Sequence, residues 1–140
     1  ETDPEVFKQY RNEFQASRFF EKPSVMVSYL IVVADTQEEA DYLAKPMELS
    51  QLALSRGRMI KNVSPEELKD YKYSEQELNF LNNHYDKRFI IKGTPEKVQS
   101  ILEEEQQLLG IDELMVYAPI HGENERLNSY KHLAKMFNKI

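Results

Sequence analysis

Three histidines, one pair of arginines and one glycine turn are the residues of this 140-residue chain whose types and spacing could do chemistry. His121 lies in Pro119-Ile120-His121-Gly122-Glu123, just past a predicted strand over 113–118. Barrels and open α/β sheets carry their sites at the carboxyl ends of strands, so His121 is a candidate pocket residue. His84 follows Asn82-Asn83 at a predicted helix end, where it reads as a capping or exposed residue. His132 stands beside Lys131 on a predicted helix and reads as surface. HExxH is absent and there are no cysteines, so no metal set is expected and thiolate nucleophiles are excluded. Ser28, Ser50 and Ser55 have no nucleophile elbow around them. Lys92-Gly93-Thr94-Pro95 precedes a predicted helix, where backbone N–H groups attract phosphate. It has one glycine where a phosphate cradle uses several, and helix capping by Thr94 with Pro95 at the first helical position accounts for it. Arg56, Arg58 and Lys61 form a small basic cluster that reads as a solvated helix end. Residue chemistry alone names no reaction, and no catalytic residue follows from it.

The elements that must position these residues are legible in periodicity. Residues 4–15 place Val6, Phe7, Tyr10 and Phe14 at helical spacing, and 16–24 read as an extended loop. Val25–Ala34 is nearly continuously apolar and β-branched, as in a parallel strand covered on both faces. Thr36 and Glu39 have capping-box spacing and open a helix with Ala40, Leu43, Ala44, Met47 and Leu54 on one face. Pro46 should kink or divide that helix near Ala44–Lys45. Gly57 ends it. Ser64/Glu67 and Ser74/Glu77 repeat the capping box, the second opening a helix that carries Leu78, Leu81 and Tyr85. Residues 88–92 are a short extended piece. The helix 95–109 puts Val98, Ile101, Leu102, Leu108 and Leu109 inward and Glu103–Gln107 into water, and Gly110 stops it in the left-handed conformation. Residues 113–118 read as a second buried strand. The last helix, 124–138, turns Leu127, Tyr130, Ala134 and Phe137 to the core, with Lys131, Lys135 and Lys139 near its negative end.

Strands alternating with helices imply an α/β fold with parallel pairing. Two strands this apolar cannot make a finished sheet, so an incomplete sheet is expected. A net charge of -6 with pI near 5.2 argues against nucleic acid, which wants a basic patch. Charged residues make up 30% and mean hydropathy is -0.64, and no run approaches the ~18–20 apolar residues of a membrane span. A cysteine-free chain suits a cytoplasmic location.

Several segments together resemble luciferase-like flavin-dependent monooxygenases of the bacterial luciferase superfamily. They are Pro23-Ser24-Val25-Met26-Val27, Ala34-Asp35-Thr36-Gln37-Glu38-Glu39-Ala40, Leu54-Ser55-Arg56-Gly57-Arg58, Gly93-Thr94-Pro95-Glu96-Lys97-Val98, Asp112-Glu113-Leu114-Met115-Val116 and Arg126-Leu127-Asn128-Ser129-Tyr130. Their order and spacing cover nearly the whole chain. The resemblance implies the carboxyl-terminal portion of a (β/α)8 TIM-type barrel. Val25–Ala34 would be its seventh strand, Leu114–Ala118 its eighth, and residues 57–92 an insertion near the barrel mouth. All 140 residues would belong to that one segment. It implies reduced FMN, or a deazaflavin in some branches, with O2, a small organic substrate, a possible flavin reductase and a homo-oligomer. Most flavin contacts would come from strands outside this chain, so the segment alone is expected to bind no flavin tightly and to be inactive. Arg56 and Arg58 would contact an anionic group at the mouth. A different class of function competes: a non-enzymatic α/β interaction module that self-associates through its exposed strand edges.

Overall fold

A computed structural model describes residues 3–61, 63–83 and 90–138. Among them the elements run α1 (Pro4–Glu13), β1 (Met26–Val33), α2 (Gln37–Ser55), a 3-10 turn (Glu66–Leu68), α3 (Glu75–Asn83), β2 (Ile90–Gly93), α4 (Pro95–Leu109), β3 (Glu113–Tyr117) and α5 (Glu123–Met136). The three strands form one parallel sheet in the order β2-β1-β3. The pairing is staggered. β3 pairs with β1 from Met26 to Leu30, and β2 pairs with it from Leu30 to Val33. The expected α/β class with parallel pairing is therefore present. Of the short extended piece expected at 88–92, the described part belongs to β2, on the opposite side of β1 from β3, and residues 88 and 89 lie outside the described residues.

Local chemistry sets the helix ends as the spacing predicts. The Thr36 hydroxyl accepts from the Glu39 N–H at 3.1 Å, and Thr94 caps α4 ahead of Pro95. Both further capping boxes are reciprocal: Ser64 N–H donates to Glu67 at 2.8 Å and Ser74 N–H to Glu77 at 2.9 Å, while each serine oxygen accepts the glutamate N–H. Gly110 ends α4 at φ 63°, and Arg11 of α1 donates to the last carbonyls, Leu109 and Gly110. The positive φ is what calls for glycine at this position.

Two cores flank β1. Tyr29, Ile31 and Val33 pack with Ile91, Val98, Leu102, Leu109, Ile111 and Leu133 beneath α4 and α5. Val32 and Ala34 pack on the other face with Ala40, Leu43, Ala44 and Met47 of α2, and with Ala118 and Ile120. That second cover holds α2 together across Pro46. The helix is not divided there, because residues on both sides of the proline bury the same face against β1. This packing offsets the ~3 kcal/mol that an interior proline costs.

Several expected faces are corrected. β3 is not buried on both faces: it alternates, with Leu114 and Val116 turned toward the first core and Met115 and Tyr117 exposed by 51% and 59%. Met26 and Ser28 are exposed beside them in register, so the amino half of the sheet is bare where α2 does not reach. In α4 the wet stretch 103–107 contains a buried residue. Glu105 is 1% exposed and Leu108 is 53% exposed. Val98, Leu102, Glu105 and Leu109 follow one another at steps of four, three and four, so the core face passes through Glu105. The Tyr29 hydroxyl donates to its carboxylate, which makes the burial tolerable. Leu54 at the end of α2 is exposed, as is Leu78 of α3, where Glu77 is buried instead. Tyr85 and His84 lie outside the described residues.

In α5 the core face is Ser129 and Leu133 with Met136, while Leu127, Tyr130 and Phe137 are exposed. The reason is a backbone requirement. Ala34 N–H donates to Gly93 on the β2 side, so Val33, one residue earlier, points to the opposite edge. Pairing with β3 has already stopped at Leu30. Ser129 fills the gap: its oxygen, fully buried, accepts the Val33 N–H at 2.9 Å. The Tyr130 hydroxyl accepts the Ala118 N–H at 3.3 Å just past β3. Ser129→Ala is expected to leave a buried N–H unpaired and to cost about 1–3 kcal/mol in urea unfolding. A loss well below that range would mean that the bond contributes little.

Candidate functional site

In parallel α/β sheets ligands gather at the carboxyl ends of the strands, so the segments after β1, β2 and β3 define the region of interest. After β2, Gly93 has φ 154°, and a Cβ there would meet the Lys97 side chain at 2.8 Å. Lys97 reaches over the turn to donate to Gln37 at 2.8 Å. The start of α4 is thus occupied by its own cap and by a lysine stem, and it offers no open phosphate cradle. After β1, Asp35 lies 3.1 Å from Nε2 of His132, which is half-buried on α5. The surface reading of His132 therefore misses a contact that ties the end of β1 to α5.

The candidate residues do not converge on one pocket. His121 is exposed after β3, close to Glu67. The Ser64 N–H and hydroxyl hold the Glu67 carboxyl below its ordinary range, with smaller contributions from Lys61 and His121. Arg56 is pinned elsewhere. Its guanidinium lies 3.2 Å from Glu77, which also accepts from the Tyr71 hydroxyl at 2.9 Å. Arg58 is exposed.

The polar cluster that the fold does assemble was not among the candidates. Lys92, on β2, reaches across to α2, where its ammonium lies 2.5 Å from Glu48 and 3.0 Å from Asp41. The second Glu48 oxygen accepts from the Tyr73 hydroxyl at 2.5 Å. Burial by itself would lower the Lys92 pKa, but the bonds and charges of Glu48 and Asp41 outweigh it and hold it above the ordinary lysine value. Burial, reinforced by Glu48, also pushes the Tyr73 hydroxyl far up, so it stays a donor. A cleft of about 430 Å³ opens over this group, lined by Asp41, Tyr42, Lys45, Glu48, Lys69, Tyr73 and Lys92. One signal in the sequence could have pointed to it: Glu48 stands between Met47 and Leu49 on a helix whose other inward residues are apolar, so it needs a partner. Among the described residues no cluster of histidine and carboxylate groups could hold a metal ion, and no helix is long and apolar enough to cross a membrane.

No family model matches the chain. It is similar to the uncharacterized protein YceB of Bacillus subtilis (strain 168), with 29% identity over 132 residues, covering 94% of this chain and 39% of the relative. It is also similar to a luciferase-like monooxygenase of Escherichia coli (strain K12), with 30% identity over 128 residues, covering 87% of this chain and 36% of the relative. Luciferase-like monooxygenases are thus among its distant homologues. The chain spans about two-fifths of the length of these relatives. In fold it is similar to the crystal structure of apo-MsnO8, with a TM-score of 0.81 at 22% identity, covering 98% of this chain and 42% of that one.

Depressed carboxylates make the segment after α2 sensitive to acid. Glu77 is held below its ordinary range by the Ser74 N–H, the Tyr71 hydroxyl and Arg56. Its contribution to stability is therefore complete above the unfolded value of ~4.3 and is lost as pH falls through the lower folded value. Glu77→Gln should lower the urea midpoint at pH 7, and the gap from the unmodified chain should be smaller at an acidic pH below the unfolded value, as folded Glu77 begins to take up its proton. A gap of equal size at both pH values would show that charge is not what Glu77 contributes.

Proposed function

We propose that this chain is the carboxyl-terminal part of a luciferase-like, flavin-dependent monooxygenase. It would supply the last two strand–helix units of a (β/α)8 barrel and the insertion at its mouth. The observation that carries the reading is the 30% identity to luciferase-like monooxygenases along 87% of the chain. The bare half of the sheet supports it. Met26, Ser28, Met115 and Tyr117 form an exposed wall beside β3, whose outer edge pairs with no strand among the described residues, as expected of a sheet that continues into further strands.

The whole protein would use reduced FMN, or a deazaflavin, with O2 to oxidise a small organic substrate in the cytoplasm, supplied with flavin by a reductase. The described residues do not fit a complete flavin. The turn before α4 has one glycine and is taken up by the Thr94 cap, and among the described residues the exposed sheet wall offers one side for an apolar ring. This chain's part would then be to wall the cavity and exclude water, with most cofactor contacts supplied from elsewhere.

The test compares two proteins. The 140-residue chain titrated with FMN should show no stoichiometric binding. The same chain extended by the remaining length of its relatives should bind reduced FMN and consume O2 with a small organic substrate. Tight stoichiometric binding by the short chain, or no flavin binding by the long one, would defeat the proposal.

The β3 edge, unpaired among the described residues, and the exposed methionines also favour a second reading, a module that self-associates through the sheet. Gel filtration over a hundredfold concentration range separates the two. A monomer throughout removes self-association, and a dimer that Met115→Lys dissociates supports it.

A further inference from the structure

The five methionines of the chain differ widely in what surrounds their sulfur. Met47 is 5% exposed, in the core that α2 covers, and Met136 packs against the first core. Met26 and Met115 are each 51% exposed on the sheet wall. Met59 is 94% exposed. A thioether reacts with a peroxide at its sulfur, so the rate follows how freely an oxidant reaches that atom.

The end of α2 is what holds Met59 out. The Gly57 N–H donates to the Leu54 carbonyl at 2.9 Å, and the Arg58 N–H donates to the Ala53 carbonyl at 2.9 Å. With Gly57 at φ 68°, these two bonds form a Schellman stop, which satisfies the last carbonyls of the helix and turns the chain off its axis. Residues 58–61 follow outside any helix or strand, and all four are exposed. Arg58 and Lys61 flank the methionine and keep the stretch in water. Met59 is thus displayed by a hydrogen-bonded turn, while the other four methionines lie on packed elements.

We propose that Met59 is a reversible oxidation site, which takes one oxygen atom from hydrogen peroxide ahead of every other methionine in the chain. The sulfur supplies an electron pair, the peroxide O–O bond breaks, an S–O bond forms and water leaves. Methionine sulfoxide reductases, one for each epimer at sulfur, reverse the step: a dithiol is oxidised to a disulfide and the oxygen leaves as water. A sulfoxide is polar, and at position 59 it stays in water, so the fold is undisturbed. At Met47 the same group would be forced among Val32, Ala34 and Leu43. Nothing in this chemistry depends on flavin.

The test treats the folded 140-residue chain with excess hydrogen peroxide and follows each methionine by mass spectrometry of its peptides. Met59 should oxidise first and Met26 and Met115 later, with Met47 and Met136 slower than Met59 by about tenfold or more. In denaturing urea the five rates should converge. Chain oxidised at Met59 alone should keep the urea midpoint of untreated chain, and the two reductases with dithiothreitol should restore the thioether. Met59→Leu should abolish the first oxidation and leave the rates of the other four methionines unchanged, which also shows that this variant is folded. Met26 or Met115 overtaking Met59, a native Met59 no faster than Met47, a midpoint lowered by oxidation at Met59, or failure of the reductases to reverse it would each overturn the proposal.

Discussion

The staggered pairing of β1 is the constraint on which the rest of this molecule depends. One strand needs acceptors and donors along both edges, and no single neighbour spans its length. Its amino half pairs with β3 and its carboxyl half with β2. Where β3 stops, Ser129 takes over the backbone bond. Because α5 must bring a small hydroxyl to that point, its register against the sheet is set by hydrogen bonding more than by the placement of its largest side chains. Leu127, Tyr130 and Phe137 are turned outward as a consequence.

The same stagger divides the sheet's second face. α2 covers the carboxyl half through Ala40, Leu43, Ala44 and Met47, leaving the amino half bare. Small residues on α2 allow close approach, and the buried area keeps the helix continuous through Pro46. On the outer side of α2, carboxylates organise the contacts. Glu48, Glu66 and Glu77 each gather an amine or guanidinium and a tyrosine hydroxyl. Isolated surface ion pairs are worth little, which applies to the exposed Lys69–Glu66 pair, whereas Glu48 and Glu77 are buried and join α2 to Tyr73 and to α3.

Much of the fold was legible because its signals are local. Thr36, Ser64, Ser74 and Thr94 cap helices three residues away, and Gly110 adopts a conformation that few other residues tolerate. The extent of β1 was readable from its apolar run, and parallel pairing followed from alternation with helices. The errors share one origin. Apolar type alone does not mark an inward face: Glu105, Glu77, Glu48 and Ser129 point inward while Leu54, Leu78, Leu108 and Leu127 do not. Glu105, Glu48 and Ser129 are tolerated by partners far away in sequence, which a periodicity count cannot see, whereas Glu77 is held by its own Ser74 cap with Tyr71 and Arg56. The Lys92–Glu48 pair, 44 positions apart, is the clearest case.

By itself, then, the order of residues determined where helices begin and end and that the strands run parallel, since these follow from backbone preference and apolar content over short spans. Which side of each helix faces inward, how far β3 is covered, and which charges meet at α2 were decided only in the tertiary structure. Those outcomes turn on whether a buried donor finds an acceptor, and the acceptor arrives from another element at a position that only the packed sheet defines.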